Sequence, residues 1–168
     1  MSIDNEEIHF GKLIKKKMKK DGRKVTRLAE ILNCHPKAIY DIYKRPDINT
    51  AKLIKICIYL NHNLFENVVA KEIKNDDNYE LTAKLIDLSL VTDEFHIGKL
   101  IQIHLDNNGQ TQIGLAKKLH ETNSAVSKIC KNPDINTFLL PEISKYLKLN
   151  LFIYYFVYVK KLLKEENY

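Results

Sequence analysis

The chain has 168 residues, enough for one ordinary domain or two small ones. Its 45% hydrophobic and 29% charged residues, with only five glycines and four prolines, exclude a disordered or collagen-like polymer and favour a helix-rich core. The formal net charge of +6 points to a polyanionic partner, either nucleic acid or an anionic surface.

Met1 to Glu7 are polar and acidic, unlike a secretory signal. The longest apolar run, Leu149 to Val159, is interrupted by Asn150 and falls short of the ~20 residues of a membrane span. Cys34, Cys57 and Cys130 are odd in number and far apart, so they read as reduced core residues. The expectation is a cytoplasmic protein with no membrane segment. No metal, cofactor or small-molecule ligand is implied.

An internal repeat organises the chain. Residues 7–65 align without a gap on residues 94–152 at an offset of 87, with about 40% identity. The longest identical block is Pro46-Asp47-Ile48-Asn49-Thr50 against Pro133-Asp134-Ile135-Asn136-Thr137.

In the first copy, Ile8, Leu13, Ile14 and Met18 predict a first helix, ended at Asp21-Gly22 by a left-handed glycine. Its lysines, from Lys12 to Lys20, form a basic run that by itself also fits a solvated helix face. Leu28, Ala29 and Leu32 predict a short second helix, and Ala38, Ile39 and Ile42 a third, with Pro36 suited to its first turn and His35 a poor N-cap. The Pro-Asp-Ile-Asn-Thr loop ends it, with Asn49 or Thr50 to cap a fourth helix carrying Leu53, Ile56, Tyr59 and Leu60. A last amphipathic stretch follows Leu64-Phe65.

Between the copies, Asn75-Asp76-Asp77-Asn78 marks a hinge, and Leu81, Leu85, Leu88 and Leu90 fit a short linker helix. The second copy repeats the pattern: Ile97, Leu100, Ile101 and Leu105, then Asn108-Gly109; Leu115, Ala116 and Leu119; Ala125, Val126 and Ile129 behind an N-cap at Thr122; and Leu140, Ile143, Tyr146 and Leu147. His9 and His96 match across the copies near the start of the first helix and read as structural residues. Tyr154, Tyr155, Phe156 and Tyr158 belong to a diverged terminal segment, helical with a stripe of Phe152, Phe156, Val159 and Leu163, or else a strand. Its aromatics are expected to pack on the linker helix or on a second chain, which makes a homodimer through this segment one possible assembly.

Thr111-Gln112-x-x-Leu115-Ala116, followed by Leu119, Thr122, Val126 and Ile129, resembles the lambda-repressor-like (Xre-type) helix-turn-helix family. The first copy keeps Leu28-Ala29, Leu32, Ile39 and Ile42 but lacks the Thr-Gln pair. The resemblance implies an all-α chain of two tandem helix-turn-helix domains of about five helices each, over residues 1–75 and 94–168, joined by a helical linker at 76–93. It also implies a bacterial-type, non-enzymatic regulator that binds double-stranded DNA.

In that family the third helix reads base edges. The corresponding positions here are Pro36, Lys37, Tyr40 and Asp41 in the first copy, and Asn123, Ser124, Ser127 and Lys128 in the second. The second set suits the task, since Asn pairs with adenine, Lys reaches guanine, and Ser donates or accepts. Asp41 repels phosphate, so the first copy is expected to contribute mainly backbone contacts. Phosphate contacts are expected from Lys24, Arg27, Thr111 and Gln112 at the start of the second helix, and from Lys44, Arg45 and Lys131 at the end of the third. Because the two sets differ, the reading is of two unlike half-sites. A protein-interaction module that keeps the scaffold, antitoxin-like or partner-docking, is the alternative. No P-loop, G-x-S-x-G or H-E-x-x-H motif favours catalysis.

Overall fold

The computed structural model describes residues 8–73, 88–91 and 94–165. Among them the chain is helical, with one isolated β-bridge and no strand. Five helices come from the first copy: α1 (Phe10–Lys20), α2 (Val25–Ile31), α3 (Pro36–Lys44), α4 (Thr50–Leu60) and α5 (Glu66–Ile73). The second copy gives α6 (Ile97–Asn107), α7 (Gln112–Leu119), α8 (Asn123–Lys131), α9 (Leu140–Leu147) after a 3-10 turn at Thr137–Leu139, and α10 (Leu151–Glu165). The predicted hinge, and Leu81 and Leu85 of the predicted linker helix, lie outside the described residues. At the end of that segment Leu88–Leu90 forms a 3-10 turn.

The backbone repeats more faithfully than the sequence. All six described residues with positive φ fall into pairs at the offset of 87: Gly22 and Gly109, Asn33 and His120, Asn61 and Lys148. Glycine takes the left-handed region freely, and asparagine more readily than histidine or lysine. The second copy therefore keeps two left-handed turns with residues poorly suited to them, because the packing around each turn imposes the same path. Capping repeats as well. His9 and His96 accept through Nδ1 from the amides of Lys12 and Lys99, at 3.1 and 3.2 Å, which gives these two residues a structural task.

Within each copy the first helix is held by the end of the third. The amides of Phe10 and Gly11 donate to the carbonyls of Pro46 and Arg45, and those of Ile97 and Gly98 to Pro133 and Asn132. Orphan donors at one helix start thus meet orphan acceptors at another helix end. The approach is so close that a Cβ on Gly98 would lie 2.5 Å from the Cys130 carbonyl oxygen, and one on Gly11 2.5 Å from that of Arg45.

The two copies meet at their identical pentapeptides. Thr50 donates its amide to the Ile135 carbonyl (2.8 Å), and Thr137 donates its own to the Ile48 carbonyl (3.0 Å). The Ile48 amide donates to Thr137 Oγ1 and the Ile135 amide to Thr50 Oγ1, both at 3.0 Å. Asn49 and Asn136 form the antiparallel bridge. Asn49 caps α4 through its side chain, while Thr50, the other cap candidate, spends its hydroxyl on the opposite copy. Ile48, Thr50, Ile135 and Thr137 are all buried.

Around this joint the buried residues of both copies form one apolar cluster. The diverged helix α10 packs on α4 and α5 of the first copy, so its aromatic face is covered from within the chain. Phe65 stacks on Tyr155 at 5.1 Å, and Tyr155 also donates to Thr50 Oγ1. The expected stripe is only part of this contact, because Tyr154 and Tyr155 are more deeply buried than Phe156. The linker contributes partly buried Leu90 and Val91 to the core, while Phe95 packs edge-on against Tyr155. Tyr154 in turn lies 2.8 Å from Nε2 of buried His104 on α6.

Replacing Thr50 or Thr137 by valine preserves shape but leaves a buried amide without its acceptor. Each variant is expected to lose about 1–3 kcal/mol of stability in denaturant unfolding. A loss below about 0.5 kcal/mol in both would mean that the joint is not formed in solution.

Candidate nucleic-acid interface

A short helix can present side chains to a partner only if its other face is anchored. In α3 the anchor is fully buried Ile39, and in α8 it is Val126, at the matching position. Each of these helices packs against both the first and the second helix of its own copy. The turn before each contains a left-handed residue, Asn33 or His120. His35 Nδ1 caps α3 by accepting from the Lys37 amide (3.2 Å), and Thr122 Oγ1 caps α8 by accepting from that of Ala125 (3.1 Å).

The outward residues follow from that anchoring. In the second copy Asn123, Ser124 and Lys128 are exposed and Ser127 is half-buried; Ser124 and Lys128 lie on the side of α8 away from Val126, while Asn123 is open because it begins the helix. In the first copy Lys37 is exposed, Pro36 is half-buried, and Tyr40 leaves 54% of its surface in solvent despite being aromatic. Asp41 is half-buried and pairs with Lys44 at 3.5 Å, so its charge is partly answered within the same helix. Tyr40 meets Tyr43 edge to face at 5.9 Å. Tyr43 has its phenol pKa raised, first by burial and then by the neighbouring Tyr40 and Tyr59.

The flanking residues divide into open and engaged groups. Lys24, Arg27, Lys44, Arg45 and Lys131 are exposed. Arg27 pairs with Glu30 at 2.8 Å, but both side chains are about two-thirds exposed, and such a pair holds an arginine only weakly. The carbonyl of Lys24 accepts from the Tyr59 hydroxyl, which fixes the start of α2 against α4. Thr111 is exposed and caps α7 by accepting from Gly114. Gln112 is half-buried and donates to Gln102 Oε1 at 2.6 Å, a tie between α7 and α6 that the Thr-Gln pattern alone did not reveal.

The copies differ most in charge on their first helices. α1 carries six lysines, whereas α6 carries Lys99 alone. Lys12, Lys15, Lys16, Lys19 and Lys20 are exposed, while Lys17 is tied to Asp21 at 3.2 Å. The exposed set forms a cationic flank on the first copy, and the second copy has no match for it.

Among the described residues no three His, Cys, Asp or Glu side chains come together in a way that would hold a metal ion. No described helix is long and apolar enough to cross a membrane. Comparison with protein-family models, with curated proteins and with solved structures found no match.

The thiols report on how tightly the scaffold is closed. Burial pushes Cys57 up to about 12. Cys130 is also raised, by burial first and then by the charge of Asp106. Tyr155 is raised by burial, an effect that its bond to Thr50 opposes and the charge of Asp134 reinforces. Unfolded thiols and phenols titrate near 8.5 and 10. The folded values lie higher, so the stabilisation is complete below about pH 8.5 and is lost as pH rises toward the folded values. Half-buried Cys34 is therefore expected to react with a maleimide at pH 8 well before Cys130 and Cys57, and the melting temperature to fall above about pH 9. Equal labelling of all three thiols, or a melting temperature that does not change up to about pH 11, would contradict this packing.

Proposed function

We propose that this chain is a sequence-specific double-stranded DNA-binding protein, a transcriptional regulator whose two copies act as tandem helix-turn-helix modules with α3 and α8 as reading helices. The observation that carries the reading is the matched pair of anchored, capped short helices that expose Lys37 and Tyr40 on one and Asn123, Ser124 and Lys128 on the other, in a chain of net charge +6. A helix presented in this way suits a major groove about 12 Å wide.

The residue chemistry divides the work unequally. On α8, Asn123 is suited to adenine and Lys128 to the O6 and N7 of guanine, with Ser124 and Ser127 as adaptable donors or acceptors. On α3, Lys37 and the open ring of Tyr40 are the reading groups, the ring suited to a thymine methyl. The pairing of Asp41 with Lys44 weakens its repulsion of phosphate. Lys24, Arg27, Arg45, Lys131 and Thr111 are the phosphate-side residues, while Gln112, already bonded to Gln102, is assigned to positioning the start of α7. The lysines of α1 add affinity without specificity by releasing counterions from the duplex.

Selection from a random duplex pool followed by gel-shift titration tests the reading. Asn123→Ala and Lys128→Ala are each expected to weaken binding to the selected duplex by about 1–3 kcal/mol, roughly 5- to 150-fold, and to relax preference at one base pair. Affinity is expected to fall steeply with salt, and Lys24→Ala to reduce that slope by about one. If neither α8 variant changes affinity, α8 is not the reading helix. If no duplex is retained at low salt while a protein partner shields Lys37 and Ser127, the scaffold serves protein docking instead.

A further inference from the structure

Two copies of a DNA-reading unit can be arranged as a direct repeat or as an inverted pair, and the joint between them distinguishes the two. The bond from Thr50 to Ile135 is answered by the bond from Thr137 to Ile48, and the bond from Ile48 to Thr137 Oγ1 by the bond from Ile135 to Thr50 Oγ1. Exchanging the copies at the offset of 87 turns each of these four bonds into its mate, while the Asn49 side chain, donating to Asp134 Oδ1 at 2.7 Å, adds a fifth bond outside the exchange. A translation would carry the Thr50 bond onto some third segment, whereas only a half-turn returns it to the first copy. Residue i of one copy touches j of the other while j touches i, which is the signature of an isologous contact.

The symmetry extends beyond the pentapeptides. Each reading helix ends at its own pentapeptide and is pinned there by the first helix, through the matched bonds from Gly11 to Arg45 and from Gly98 to Asn132. α3 and α8 are therefore placed alike on the two sides of the local axis.

The joint is also closed to a second chain. The groups that make its four reciprocal bonds belong to buried Ile48, Thr50, Ile135 and Thr137 and are spent on one another. Tyr155 adds a bond to Thr50 that has no counterpart in the first copy, where the matching residue is Val68. Asn63 Nδ2 donates to the Phe156 carbonyl at 2.8 Å, which ties the same two halves together a second time.

We infer that one chain is a built-in two-fold pair, and that its DNA site is an imperfect inverted repeat occupied by a single chain. This rests on the DNA-binding reading above. The repeat is imperfect because Lys37, Tyr40 and Asp41 stand where the other copy has Ser124, Ser127 and Lys128. The joint sets the orientation of the half-sites, and the reading helices set their unlike sequences.

The test begins from the duplex selected with the full chain. One duplex keeps both half-sites as selected. In a second, the half-site that responds to Lys128→Ala is reversed in place to make a direct repeat, and in a third it is moved by half a helical turn, about 5 base pairs. Binding is titrated at fixed salt, and the mass of the complex is read by light scattering. The inference predicts one chain per duplex and a loss on the order of 100-fold for both altered duplexes, down to the affinity for a lone half-site. Equal or tighter binding of the direct repeat, or two chains on the selected duplex, would overturn the two-fold assignment while leaving DNA binding intact. Failure to bind any duplex would instead remove the DNA reading, and this inference with it.

Discussion

The structure turns on an exchange of four reciprocal hydrogen bonds between two copies of one pentapeptide, to which the Asn49 side chain adds a fifth by donating to Asp134 Oδ1. A buried amide or carbonyl left without a partner costs more than a made bond contributes, so this joint resists replacement piece by piece. Each copy provides two amides, one carbonyl and one hydroxyl to the other, and the antiparallel bridge between Asn49 and Asn136 lies at the centre. An extended segment in a helical protein is normally an open edge that invites pairing with another molecule. Here the edge is consumed by its own repeat.

That constraint accounts for what the two copies share and where they differ. Residues tied to the backbone path are matched in the glycines under the helix contacts, the histidine caps and the asparagine caps, and the left-handed turns keep their path even where the residue has changed. Gly11 and Gly98 admit no side chain because carbonyl oxygens occupy the space. Residues facing outward are free to drift. α1 has gathered lysines while α6 has not, and α3 carries an aromatic pair while α8 carries serines. A duplicated scaffold with diverged outer faces is the arrangement expected of a chain that must hold two different contacts in one fixed relation.

Much of this could be read in the residues. The offset of 87, the helical periods, the glycine stops and the Thr122 cap all depend on local rules, and each appears in the structure. The joint was hidden for a physical reason. Thr50 follows a proline turn and sits where an N-cap is wanted, so capping accounts for it locally, and no one-dimensional rule reports that two distant loops touch. Five consecutive identical residues in an otherwise diverged repeat were the available signal. The same limit applies to α10. Its aromatics required burial, but the surface that covers them, α4 and α5 of the first copy, lies roughly a hundred residues earlier in the chain. On α8, exposure of Ser124 and Lys128 followed from Val126 facing inward, whereas the diversion of Gln112 to Gln102 depends on a side-chain approach between two helices. Poor left-handed residues at His120 and Lys148 were equally invisible, because tertiary packing overrides their local preference.

The central claim is that a closed, two-fold joint holds two outward helix faces for one polyanionic partner. Amide chemical-shift mapping of the full chain, titrated with a duplex at low salt, tests it most directly. The account predicts that the largest changes fall at residues 36–41 and 123–128 together, while the amides of Ile48, Thr50, Ile135 and Thr137 stay in place. Changes concentrated on α10 or at the joint, with both helix faces silent, would contradict it.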